Sequence, residues 1–124
     1  MTSPTLQSSS PTDNSTFVAT NTDVILSFSE NVVVNSGNII IYDYFSDSVI
    51  ETIDVTSDQV TGAGTSQITI DLNNNLDDST SYYVFVDNTA FVDSTNNFYA
   101  GISNKNILNF TTADETVPTL LSTN

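Results

Sequence analysis

An all-β fold, a two-sheet antiparallel sandwich of about seven strands, is what this sequence predicts. Three observations carry that prediction. Apolar and polar residues alternate at period two in short runs. Clusters of Asn, Asp, Ser, Thr and Gly separate those runs. No segment of useful length repeats its apolar residues at helical spacing. The chain has 124 residues, of which 38% are hydrophobic. That is one domain, with enough apolar surface in clusters to build a core.

The elements follow in order. Thr5 to Ser8 supplies a short first strand. Asp23 to Glu30 points Val24, Leu26 and Phe28 inward, with Ile25, Ser27 and Ser29 outward. Asn38 to Asp43 is apolar on both faces, Ile39 and Ile41 on one and Ile40 and Tyr42 on the other. Val49 to Val55 is its expected neighbour. Gln67 to Leu72 turns Ile68, Ile70 and Leu72 inward. Ser81 to Asp87 turns Tyr82, Val84 and Val86 inward and leaves Tyr83 and Phe85 outward. Asn106 to Thr112 closes the set with Leu108 and Phe110 inward. The breaks at Ser36-Gly37-Asn38, Thr61-Gly62-Ala63-Gly64 and Asn73-Asn74-Asn75 hold residues that tolerate turn and left-handed backbone.

One spacing is more specific. Leu76-x-x-x-Thr80-x-Tyr82-x-Val84 is the pattern of a tyrosine corner before a penultimate strand. In such a corner the hydroxyl bonds back to the preceding loop and fixes the crossover between sheets.

Charge excludes whole classes of function. Fifteen acids stand against one cation, Lys105, for a net charge of −14. Nucleic-acid binding needs Lys and Arg to neutralise phosphates, so it is excluded. An anionic membrane surface repels such a chain, and no stretch is long enough for membrane insertion. The N-terminus shows no basic and apolar leader, so no signal peptide is visible. There is no Cys and no His, which removes disulfides, thiolate chemistry, imidazole ligands and the commonest general base. Any metal must be held by oxygen, which points to Ca²⁺. A glycosidase-like carboxylate pair needs a cleft with sugar-positioning groups. With no Trp, Arg or His to build one, an enzyme is not expected.

The two ends of the chain echo each other. Pro4-Thr5-Leu6-Gln7-Ser8 returns as Pro118-Thr119-Leu120-Leu121-Ser122, an offset of 114 positions (118 − 4). One domain length between copies of a first strand is the mark of a tandem array. Residues 1–115 are therefore expected to form one domain, and 116–124 a linker and the start of the next repeat.

Three stretches together resemble the bacterial Ig-like domain of the S-layer type (SbsA Ig-like, Big_5). They are Pro4 to Val18, with Ser9-Ser10-Pro11-x-Asp13-Asn14-Ser15-x-Phe17-Val18; Leu26-Ser-Phe-Ser-Glu30-Asn-Val32; and Tyr82 through Asp87, Ala90-Phe91, Asp93, Asn97-Phe98, Ala100-Gly101-Ile102 and Asn109-Phe110-Thr111-Thr112. The family often has Gly where this chain has Asn96, and Asn is the next best residue for positive φ. The resemblance implies an Ig-like sandwich that acts as a repeat, an extender or spacer, in a large extracellular or cell-surface bacterial protein such as an adhesin or S-layer protein. Fold alone does not fix function.

Three candidate sites follow. The loop from Asp87 to Asn97 packs oxygen ligands on small spacers, and Glu30 approaches it if the strand ends meet. Glu30, Asp87, Asp93 and Asn97 are thus candidate Ca²⁺ ligands, although Asp and Asn also cap turns. The junction residues Asp114 and Glu115 are a second Ca²⁺ candidate, against the simpler reading of a polar linker limited by Pro118. Tyr42, Tyr44, Phe45, Tyr83, Phe85 and Tyr99 are candidates for stacking on sugars, against the simpler reading of cross-strand packing. The expected partners are neighbouring repeats of the same chain, with head-to-tail self-association through residues 116–124. A small carbohydrate-binding module attached to a secreted enzyme is the alternative.

Overall fold

The structure is a computed structural model and describes residues 3–114. It contains ten strands: β1 Leu6–Ser10, β2 Ser15–Val18, β3 Val24–Val34, β4 Asn38–Asp43, β5 Val49–Asp54, β6 Val60–Thr61, β7 Thr65–Ile70, β8 Ser81–Val86, β9 Phe91–Val92 and β10 Asn109–Thr112. One sheet has the order β1-β3-β7-β6, with β9 added to β3. The other has the order β2-β10-β8-β4-β5. This is the expected all-β sandwich, with its inner faces packed on one core.

The alternation read from sequence places the core side chains. Val24, Leu26 and Phe28 of β3 and Ile68 and Ile70 of β7 are buried from one sheet. Ile39, Ile41, Tyr82, Val84, Val86 and Phe110 are buried from the other, and Leu108 joins them just before β10. Each fully buried aliphatic or aromatic side chain contributes about 1.5–3 kcal/mol against leaving it in water.

The departures from expectation lie in short or irregular elements. β2, β6 and β9 were not expected, because strands of two to four residues show too little periodicity to read. β3 does not stop at Glu30. Its register shifts between Ser27 and Val32, and its far end then pairs Val33 and Val34 with Val92 and Phe91 of β9. Nor are the sheets wholly antiparallel, because β10 pairs β2 in parallel. The reason is the first strand, which divides between the sheets. β1 pairs β3, a cis Ser10–Pro11 peptide follows, and β2 continues in the same direction on the second sheet.

The tyrosine corner is present. The Tyr82 hydroxyl accepts a hydrogen bond from the Asp77 N–H at 2.8 Å. Thr112 Oγ1 donates to the Asp77 carbonyl at 2.6 Å and accepts from the Thr80 N–H at 2.9 Å. Three backbone groups of the 77–80 loop are thereby held from two strands.

The polarity of the strands sets the ends of the molecule. β1 runs toward the start of β3, and β2 continues that way. β10, parallel to β2, ends where the Ala113 N–H donates to the Val18 carbonyl at 2.8 Å. The described chain therefore comes in toward one end of the sandwich and leaves at the other.

Candidate functional site

The acidic loop is organised by Asp93, which follows β9 and is buried although charged. Its Oδ1 accepts from the Thr95 N–H at 2.8 Å, the Thr95 hydroxyl at 3.0 Å and the Asn97 N–H at 2.9 Å. Its Oδ2 accepts from the Asn97 side-chain amide at 3.1 Å. Asn96, between them, has φ 66°, so the left-handed residue expected here is in place. These donors, the Asn97 N–H foremost, hold the Asp93 carboxyl well below its ordinary range.

Glu30 lies beside this turn because β3 runs on to meet β9. Its carboxyl is raised above the ordinary 4.5, first by partial burial and then by the neighbouring Asp93. Glu30 is thus brought beside Asp93, to which Asn97 is bonded. Asp87 is used elsewhere. Its Oδ2 accepts from the Asn38 N–H at 2.7 Å, joining the end of β8 to the start of β4. Asp114 sits past β10 at the opposite end of the sandwich, near Ala113 and Ser79. Glu115 lies outside the described residues. The six candidates do not form one centre, and among the described residues no three His, Cys, Asp or Glu side chains are grouped to hold a metal. Both Asp93 oxygens already accept from donors of the capped turn, so a cation, which takes six to eight oxygens, would have to draw the rest from Glu30, backbone carbonyls and solvent.

The candidate aromatics divide. Tyr99 is a core residue, edge-on to Phe28 at 5.0 Å between ring centroids, and burial pushes its hydroxyl up to about 12. It is unavailable for display. Tyr42, Tyr44, Tyr83 and Phe85 share the outer face of the second sheet. Tyr42 stacks on Tyr83 at 4.8 Å and 14°, and Phe85 packs against both at about 5 Å. Tyr83 faces outward as expected, but it is buried, at 4% exposure. The outer face has its own cover of aromatic neighbours and one lysine, which alternation alone does not reveal. Phe45, at the tip of the β4–β5 hairpin, is 81% exposed.

The lysine cluster was not foreseen. Lys105 Nζ lies 4.4 Å from the Tyr44 ring centre and 5.3 Å from that of Tyr83. It donates to the Tyr44 carbonyl at 2.8 Å and pairs with Asp47 Oδ1 at 3.2 Å. The Tyr83 hydroxyl donates to the same Asp47 oxygen at 2.8 Å. Burial first, and then Asp47, push that hydroxyl up to about 12. The signal available in the sequence was that the only cation sits in a chain of fifteen acids; which acid it meets required the fold.

A family model of the bacterial Ig-like domain (Big_5) matches residues 1–112. Among solved structures, CopC from Methylosinus trichosporium OB3b superposes with a TM-score of 0.61 at 17% identity, over 93% of this chain and 99% of that one. The S-layer protein rSbsC(31-844) superposes with a TM-score of 0.57 at 14% identity, over 93% of this chain and 14% of the longer one. At these identities the likeness is one of fold. A comparison with curated proteins finds no match.

Proposed function

This chain belongs to the bacterial Ig-like domain family, and from that premise we propose that it serves as a structural repeat. It is read as a rigid, non-enzymatic spacer in a large secreted or cell-surface bacterial protein such as an adhesin or S-layer protein. The observation that carries this reading is the strand polarity: β1, β2 and β10 all run toward the end at which Asp114 leaves. Modules joined through such ends extend in line instead of folding back on one another.

Two exposed aromatics add support. Phe17 is 85% exposed and holds φ at 59°, a backbone region that is unfavourable for a bulky residue. It occupies the shift in register between β2 and β10, where Ser15 faces Phe110 and Val18 faces Thr112. Phe45 projects from a hairpin tip at the same end, beside the start of β8, where the Tyr44 N–H meets the Ser81 carbonyl. A following repeat would cover both. Calcium enters this proposal at Glu30, whose crowding by Asp93 a cation relieves, and at the Asp114–Glu115 junction.

The test is a protein carrying two copies, with Thr116 and Val117 leading into Pro4 of the second. Small-angle scattering should give a rod whose maximum dimension is roughly twice that of one copy, as expected of a short linker limited by proline. A compact pair or a freely jointed one would overturn the spacer reading.

A further inference from the structure

A groove of about 330 Å³ opens on the outer face of the second sheet, between β8 and the segment that follows Tyr99. Ile40, Tyr42 and Phe85 form its apolar lining, and Asp87, Asn88 and Ser103 its polar rim. That volume is at the lower end of the roughly 300–1,000 Å³ typical of small-ligand sites. The segment forming one wall is held by reciprocal bonds between Val86 and Ile102, at 3.0 and 2.9 Å. Gly101, at φ +84°, lets this wall approach, because a Cβ there would fall on the Val86 carbonyl oxygen. The groove is thus a built feature of the backbone.

Its polar groups are available. Asp87 spends Oδ2 on the Asn38 N–H. The other Asp87 oxygen, the Tyr42 hydroxyl, the Asn88 amide and the Ser103 hydroxyl make no side-chain hydrogen bond within the protein among the described residues. The same face shows what such a surface holds. One strand pair along, an ammonium group, that of Lys105, sits over the Tyr44 and Tyr83 rings with the Asp47 carboxylate at 3.2 Å. Tyr42, Phe85 and Asp87 repeat that combination of aromatic ring and carboxylate. The chain has no second Lys or Arg and no His to supply the cation, and its net charge of −14 attracts cations and repels anions.

We propose that this groove binds an amino sugar, a pyranose bearing a free ammonium group as in glucosamine oligomers. The apolar face of the ring packs on Tyr42 and Phe85. The ammonium meets Asp87 and the aromatic rings. Asn88 and Ser103 serve the ring hydroxyls. This binding is independent of the spacer reading, and the failure of either leaves the other standing.

The test is an NMR titration of the full chain at about pH 6 in about 0.15 M NaCl, where diffuse charge attraction is screened within about 8 Å. The probes are the glucosamine trimer, its N-acetylated counterpart, a glucose trimer and trilysine. Saturable shifts should appear with the glucosamine trimer at Tyr42, Phe85, Asp87, Asn88 and Ser103. Asp87→Asn, which keeps an oxygen for the Asn38 N–H, should weaken binding about tenfold, or about 1.4 kcal/mol. Phe85→Leu, which keeps an apolar side chain, should weaken it similarly with the melting midpoint retained. Equal binding of the neutral or N-acetylated trimer would overturn the role of the ammonium group. Equal binding of trilysine would reduce the site to charge alone. Shifts scattered over Glu30, Asp93 and the turn acids would place the binding outside the groove and overturn the proposal.

Discussion

Tyr82 and Asp77, five residues apart, are joined by a 2.8 Å hydrogen bond from the Asp77 N–H to the tyrosine hydroxyl. Thr112 grips the carbonyl of the same Asp77. The crossover between the sheets is therefore tied to β8 and β10 through a single peptide plane on either side.

Tyr82→Phe removes the acceptor and strands the Asp77 N–H in a part-buried place. The expected loss is about 1–3 kcal/mol, the cost of an unsatisfied buried group. Tyr83→Phe removes a donor to Asp47, whose carboxylate remains well solvated and keeps Lys105. Its expected cost is about 0.5–1.5 kcal/mol. Urea unfolding of the two variants checks the order. A larger loss for Tyr83→Phe would show that the outer aromatic cluster, not the corner, governs this strand.

Glu30 and Asp93 should respond to pH with opposite signs. The folded pKa of Glu30 is raised above 4.5, so its ionisation works against folding and the penalty fades as pH falls through that value. Glu30→Gln should raise the melting midpoint at pH 7, and the gain should vanish near pH 4. The folded pKa of Asp93 is depressed, so its contribution is full above its unfolded value of about 3.9 and is lost as pH falls toward the folded one. Asp93→Asn should lower the midpoint at pH 7, by less at pH 3. Melting curves at the three pH values decide it, and a gain from Asp93→Asn at pH 7 would contradict the capping geometry.

Calcium tests the same corner. If a cation bridges Glu30 and the Asp93 turn, millimolar CaCl₂ should raise the midpoint above that in NaCl of equal ionic strength, and Glu30→Gln should remove the difference. Binding at a hundredfold excess over Kd is worth about 2.7 kcal/mol. Equal midpoints in the two salts would leave screening as the whole effect.

Phe17→Asn should be neutral or stabilising by up to about 1 kcal/mol in the single domain, since Asn accepts the left-handed backbone more readily than Phe. In the two-copy protein the same change should weaken the junction, read as a broader distribution of dimensions by scattering. A clear loss of stability in the single domain would show that Phe17 serves its own fold.

Removal of residues 116–124 should leave the melting midpoint nearly unchanged. β10 is already paired on both sides, by β2 and β8, so the second sheet has no vacant position beside it. The head-to-tail association expected of residues 116–124, which repeat the opening Pro4-Thr5-Leu6 pattern, should disappear with them in sedimentation. A large drop in the midpoint would assign the tail to this domain's own core.

The long strands were legible from their residues. Val24, Leu26, Phe28, Ile68, Ile70, Tyr82, Val84 and Val86 alternate at period two, and each is buried where that period puts it. The corner was legible because Leu76, Thr80 and Tyr82 are close in sequence and the bond they build is local. The turn at Asn96 was legible for the same reason. Contacts between residues far apart in the chain were decided by the tertiary structure. β3 runs past Glu30 because β9 is there to pair with it, and that pairing brings Glu30 to Asp93. Tyr83 is buried because Tyr42 and Phe85 stand beside it and Lys105 folds over it from twenty-two positions away. Tyr99, which lies on no strand, enters the core, where its ring meets Phe28 of β3 edge-on. Periodicity reports which side of a strand a residue takes; what covers that side is set by long-range packing, which the local order of residues does not encode.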